Sequence, residues 1–124
     1  MKMRKIRVSG CDVKSFQNLN ISGSKSESNR VLILKSIFNN ISIENLSSSD
    51  DTKILKKSLI SKNPIINVGH AGTSMRFLTA YLATLVNKKF ILSGSKRMHE
   101  RPIAVLVDAL NYLGFKINFI EDEG

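Results

Sequence analysis

Three stretches of this chain set cations and hydroxyls beside small residues where a helical pattern begins. The first is Gly23-Ser24-Lys25-Ser26-Glu27-Ser28-Asn29-Arg30. Free backbone N–H groups and the helix dipole favour an anion at such a start. Lys25 adds a point charge, Ser26 and Ser28 add hydroxyl donors, and Arg30 adds a planar fork matched to carboxylate or phosphate. The same residues also suit a plain solvated helix start capped by Ser26 or Ser28. The glycine spacing of a Walker A loop is missing. The second stretch is Gly69-His70-Ala71-Gly72-Thr73-Ser74-Met75-Arg76. Gly72 lets a ligand approach the backbone, and Thr73 or Ser74 can cap the helix. Arg76 opposes the dipole in the first turns of an otherwise apolar helix, so stability does not ask for it. His70 suits an acid, a base, a hydrogen-bond donor or a structural turn residue. The third is Ser95-Lys96-Arg97-Met98-His99-Glu100-Arg101-Pro102, three cations and a histidine before a proline, with Glu100 able to orient an arginine. Its alternative is an exposed basic loop.

Other polar residues read more simply. Asp50 and Asp51 are helix-start carboxylates, Lys53, Lys56 and Lys57 form a solvated face, and Cys11 is inert. One cysteine forms no internal disulfide and suits a reducing cytoplasm. With two histidines it leaves little for a zinc site, and no catalytic triad is present. The residues by themselves describe a site for small molecules that bear phosphate and carboxylate groups.

Composition fits that reading. Nineteen Lys and Arg against ten Asp and Glu give the 124-residue chain a charge of +9, which attracts nucleic acid, anionic membrane or small polyanions. Aromatics at 6% and the absence of Trp weaken the nucleic-acid option. No apolar run approaches the roughly 18 residues of a membrane span, and the basic start leads into no signal-peptide core.

The elements that must hold these stretches follow from periodicity. Alternation predicts strands at 5–8, 41–46, 65–68, 89–92 and 115–120. Helical stripes predict helices over 28–38, from 50 to about 61, from 74 to 86, and from Pro102 to Gly114, with Pro102 as the first helical residue and Gly114 as terminator. The helix over 74–86 is apolar on almost every side and is expected to be buried. Alternating strands and helices place the chain in the α/β or interleaved α+β class. A faint repeat runs through it. Ile21-Ser-Gly-Ser-Lys25 matches Leu92-Ser-Gly-Ser-Lys96 at four of five positions, 71 residues apart, and the same offset sets Arg30 on Arg101.

In their order and spacing, Gly-Ser-Lys-Ser-x-Ser-Asn-Arg at 23–30, Ala-Gly-Thr-x-Met-Arg at 71–76 and Arg-Met-x-Glu-Arg-Pro-Ile at 97–103 resemble the N-terminal part of the 5-enolpyruvylshikimate-3-phosphate synthase family. The resemblance covers essentially the whole chain. It implies transfer of the enolpyruvyl group of phosphoenolpyruvate to the 5-hydroxyl of shikimate 3-phosphate, without metal or organic cofactor, on the cytoplasmic route to chorismate. By resemblance Lys25 contacts both substrates, and Ser26 and Arg30 hold shikimate 3-phosphate. Gly72 and Arg97 bind phosphoenolpyruvate with Arg76 nearby, and Asp51 lines the same cleft. Lys25, Asp51 and Arg97 are the implied catalytic residues.

The family enzyme has two lobes, each an inverse α/β barrel-like array of three βαβαββ units. The resemblance therefore implies that residues 1–22 are a strand and linker belonging to the other lobe. Residues 23–124 would form about half of the N-terminal lobe, inactive alone and lacking a C-terminal part that completes a monomeric enzyme. It implies neither nucleic-acid nor membrane partners. His70 stands where the family usually has Asn, a tolerated change. Phe77 stands where Pro is common and is expected to alter packing around Arg76, and so affinity for phosphoenolpyruvate or a mimic such as glyphosate. The sister family, UDP-N-acetylglucosamine enolpyruvyl transferase, is less similar: Met98 and His99 occupy the stretch of its reactive Cys, and its first motif lacks Ser-Asn-Arg. A small basic RNA-binding module is the alternative from another class, unsupported by any RRM, KH or helix-turn-helix signature.

Overall fold

The computed structural model describes residues 5–10 and 18–120. Cys11 and the acidic residues at 121–123 lie outside them. Among the described residues, four helices of nine to thirteen residues and one short one accompany a two-stranded sheet: α1 (Lys25–Ile37), α2 (Asp50–Leu59), β1 (Ile65–Asn67), α3 (Gly72–Ala83), β2 (Ile91–Ser93), α4 (Lys96–His99) and α5 (Ala104–Tyr112). β1 and β2 pair in parallel, Ile66 opposite Leu92, and α3 is the crossover that parallel strands require. The mixture of helices with a small parallel sheet is compatible with the α/β class. No helix among the described residues is long and apolar enough to cross a membrane.

The helix starts differ from expectation in an informative way. α1 begins at Lys25, three residues early, because Ser24 and not Ser26 or Ser28 caps it: Glu27 N donates to Ser24 Oγ at 3.4 Å. Ser24-Lys-Ser-Glu27 has the spacing of a capping box. α2 is capped by Ser49, which accepts from Thr52 N at 3.4 Å. α3 also starts early, at Gly72, and no side chain caps it. Pro102 lies before α5, which opens at Ala104 after Ile103. Gly114 ends it with φ +96°, as a terminating glycine should. The basic stretch 96–99, placed by the sequence just before the proline-led helix, itself winds into α4 after Ser95.

The strands expected at 5–8, 41–46 and 115–120 are not formed among the described residues. Alternation proposes a strand, but a ladder also needs a neighbour. Ile6 and Val8 are more than four-fifths exposed. Ile43 packs on the core while Asn45, at φ +50°, turns the chain away. Ile117 finds its partner in a side chain: the Asn111 amide donates to Ile117 O at 3.0 Å and accepts from Ile117 N at 2.9 Å.

The core is Leu32 of α1, Leu55 of α2, Ile66 of β1, Val68 and Ala71 in the turn that follows it, and Leu78 and Leu82 of α3. Leu55, Val68 and Leu78 are fully buried. Burial of α3 is as its pattern predicts, though confined to the face that carries Ser74, Leu78 and Leu82. Leu78→Ala is expected to destabilise the chain by about 2–5 kcal/mol, the range for a leucine removed from a packed interior. Thermal denaturation followed by circular dichroism measures it.

Candidate functional site

The starts of three helices meet around Asp51. Its carboxylate Oδ2 lies 4.0 Å from Lys25 Nζ at the head of α1. Its backbone oxygen accepts from Ser74 Oγ, in the first turn of α3, at 2.8 Å. Further along, Tyr81 Oη donates to Ser36 O at 3.4 Å, so α3 and α1 touch near their C-terminal ends as well and run in the same direction. The positive ends of parallel dipoles are thereby gathered at one end of the bundle. That arrangement repels itself and attracts anions. Glu27, Asp50 and Asp51 offset part of it from within the first turns.

Lys25 is half exposed, with 48% of its side chain accessible against 18% for Asp51. A long, wet ion pair of this kind contributes about 0–1 kcal/mol. Asp51 can therefore hold Lys25 in place without keeping its charge from an incoming anion. Ser26 and Arg30 are exposed and stand four residues apart, on one face of α1. Lys53 pairs with Asp50 at 3.9 Å on the solvated side of α2.

A second cluster sits over the uncapped start of α3. Arg76 folds back on its own helix, its Nη1 donating to Gly72 O at 3.3 Å and its Nη2 to Pro102 O at 3.0 Å. Gly72 is buried, and the space where a Cβ would stand is taken by Arg101 Nη1, with Arg76 Nη1 only 3.5 Å from that position. Two guanidinium groups thus converge on one glycine. Among the described residues neither is in an ion pair with a carboxylate. Like charges this close, above unpaired N–H groups, suit a phosphate or carboxylate that accepts from both.

Arg97 is exposed on α4, and the atoms nearest the Cβ position of Gly72 belong to Arg101 and Arg76. Arg101, one turn later, is the cation the sequence set omitted. The 71-residue offset already marked it, because it pairs Arg101 with Arg30. The repeat is visible in space: Ser24 precedes Lys25 at the head of α1 as Ser95 precedes Lys96 at the head of α4. His70 is exposed in the turn between β1 and α3, and Phe77 is half-buried against the core. Among the described residues no group of three or more His, Cys, Asp or Glu is placed to share a metal ion.

Comparison with known proteins identifies the family of the chain. The model of a family described as EPSP synthase (3-phosphoshikimate 1-carboxyvinyltransferase) matches residues 53–124, which include Gly72, Arg76, Arg97 and Arg101. A Bacteroides fragilis protein named 3-phosphoshikimate 1-carboxyvinyltransferase is 42% identical over 107 residues, 86% of this chain and 26% of its own length. Proteins of the same name from Nitrosomonas europaea and from Buchnera aphidicola subsp. Cinara cedri are 38% and 41% identical, over 86% and 82% of this chain and 30% and 29% of theirs. No solved structure matches. The chain thus spans between a quarter and a third of the length of these relatives. With the matched family model and the named relatives agreeing, the chain belongs to the EPSP synthase family.

Proposed function

We propose that this chain supplies one wall of an enolpyruvyl-transfer cleft that takes phosphoenolpyruvate and shikimate 3-phosphate. The observation that carries the reading is the convergence of three helix starts on Asp51, flanked by two guanidinium groups over Gly72. Lys25, Ser26 and Arg30 take the phosphate of shikimate 3-phosphate. Gly72, Arg76 and Arg101 take phosphoenolpyruvate, with Arg97 as the second candidate for that role. Asp51 holds Lys25 between the two.

In the reaction the 5-hydroxyl of shikimate 3-phosphate adds to C2 of phosphoenolpyruvate while C3 gains a proton. The tetrahedral adduct then expels inorganic phosphate and returns the proton from C3. The phosphate and carboxylate charges persist through both halves, so cations placed beforehand stabilise every state without rearranging. No metal or organic cofactor is required. Transfer of the hydroxyl and C3 protons needs acid and base groups that we assign to the remaining length of the longer relatives. The chain by itself is expected to bind and not to turn over. We place residues 1–22 with the other lobe and 23–124 in the first half of the N-terminal, inverse-barrel-like lobe, in a monomeric, cytoplasmic enzyme.

Calorimetric titration with phosphoenolpyruvate tests the assignment of the arginines. A hydrogen bond to a charged group is worth about 1.5–3 kcal/mol, so Arg101→Ala should weaken binding by roughly 10-fold or more. Arg97→Ala should change it by less than about twofold, since Arg101 and Arg76, not Arg97, are the guanidinium groups nearest Gly72. The reverse ranking would move phosphoenolpyruvate to Arg97.

A further inference from the structure

Behind the site lies a polar cluster that no substrate would touch. Asn29 is fully buried and Thr52 is 2% exposed. Thr52 Oγ1 donates to Asn29 Oδ1 at 2.8 Å. Its proton being committed there, Ser49 Oγ, 3.0 Å away, donates to it in turn. Beside this relay Ser28 Oγ, also buried, accepts from Ser47 N at 2.9 Å. The head of α1 is thus clipped twice, through Ser28 to Ser47 before α2 and through Asn29 to Thr52 within it. Yet Asn29 Nδ2, equally buried, has no hydrogen-bond partner among the described residues. A buried donor left this way is a net cost to the fold. A leucine at 29 facing a valine at 52 would remove both polar ends together and avoid that cost. The amide and hydroxyl give this contact a direction that apolar side chains of the same shape would lack.

The position of the contact gives that direction a use. Asn29 lies one helical turn after Lys25 and immediately before Arg30, and Thr52 immediately follows Asp51. The bond between them sets how α1 and α2 meet at the end where Lys25 faces Asp51. A directional hydrogen bond fixes that meeting more sharply than apolar contact, which tolerates sliding. We infer that Asn29 is a positioning residue: through Thr52 it locks the heads of α1 and α2 in the register that lets Lys25 and Arg30 close on one phosphate. This rests on the proposed function, which assigns that phosphate to shikimate 3-phosphate.

The test compares the unaltered chain with Asn29→Leu/Thr52→Val and with Thr52→Ser, which keeps the hydroxyl. Each is titrated with shikimate 3-phosphate while the amide signals of Lys25, Ser26 and Arg30 are followed by NMR, and each is melted. The double variant should keep or raise its Tm and yet bind about tenfold more weakly, since small misplacements of binding groups cost this much or more. Thr52→Ser should bind within about twofold of the unaltered chain, because the donor is retained. Unchanged affinity in the double variant would overturn the inference alone. So would a fall in Tm, or failure to fold, because the cluster would then be a stability feature. Weak binding by Thr52→Ser would remove the hydroxyl relay. No response in the unaltered chain would overturn the proposed function and this inference with it.

Discussion

Gly72→Ala is expected to leave the fold intact and to strip the site of its anion. Gly72 opens α3 with no positive φ, so alanine fits its backbone, and alanine favours a helix over glycine by up to about 1 kcal/mol. The new Cβ would meet Arg101 Nη1, the far end of a flexible side chain, which can swing aside at little cost. That swing is the functional damage. Arg101 leaves the place it shares with Arg76, and the methyl group occupies the close approach that an oxygen of phosphoenolpyruvate would use. A hydrogen bond from a guanidinium to the ligand is worth about 1.5–3 kcal/mol, so without it affinity for phosphoenolpyruvate should fall by roughly 10- to 150-fold at unchanged Tm. Calorimetric titration beside a thermal melt reads both quantities. Full affinity in the variant would show that the glycine is not where the ligand sits.

Gly23→Ala should do the opposite, damaging the fold first. Its Cβ would run into the carbonyl oxygen of Asn45, with Asn45 C at 3.1 Å and Ser47 N at 3.4 Å behind it. This obstacle is backbone, and it is held on several sides. Asn45 sits at φ +50°, its Nδ2 donates to Ile21 O at 3.3 Å, and buried Ser47 donates its N–H to Ser28 Oγ. Overpacking against fixed atoms costs about 1–3 kcal/mol and at times more, so about 3 kcal/mol is expected here. In a chain of this size that lowers Tm by roughly 10–20 °C. Gly10→Ala is the control, since nothing lies within 4 Å of its added Cβ. Equal melting of the two variants would contradict the tight approach at Gly23.

Residue 94 extends the comparison within the same chain. Gly94, at the repeat offset from Gly23, also faces a backbone carbonyl, Gly69 O at 2.8 Å from its Cβ position, with the Met98 side chain at 2.6 Å. Gly69 and Asn45 are both at positive φ, +56° and +50°. In each half a Ser-Gly-Ser-Lys turn rests on a left-handed residue of the neighbouring segment. The sequence displayed the two turns but not what they rest on, because the second partner is an asparagine in one half and a glycine in the other.

Helices were legible where a stripe and a cap agreed, as in α2, whose Ser49-Asp50-Asp51-Thr52 start and Leu55 core position both read directly. The early starts of α1 and α3 were obscured because the functional residues stand inside the first turn instead of before it. Lys25 and Gly72 look like turn residues and are helical. The expected strands at 41–46 and 115–120 show the limit of alternation, which marks a face that can be buried but not the neighbour that completes a ladder. For the candidate site, residue type and spacing singled out Lys25, Ser26, Arg30, Gly72, Arg76 and Arg97. Neither Arg101 over Gly72 nor the hold of Asp51 on α3 through Ser74 follows from spacing, since both are contacts between distant segments.

If the gathered helix starts receive shikimate 3-phosphate, the unaltered chain alone should respond to that ligand. An NMR titration of the unaltered chain with shikimate 3-phosphate, beside one with an RNA oligonucleotide, tests it most directly. Saturable shifts are expected at Lys25, Ser26 and Arg30 with shikimate 3-phosphate, and only weak, salt-sensitive and diffuse shifts with RNA. Saturable, sequence-preferring RNA binding with no response to shikimate 3-phosphate would contradict it.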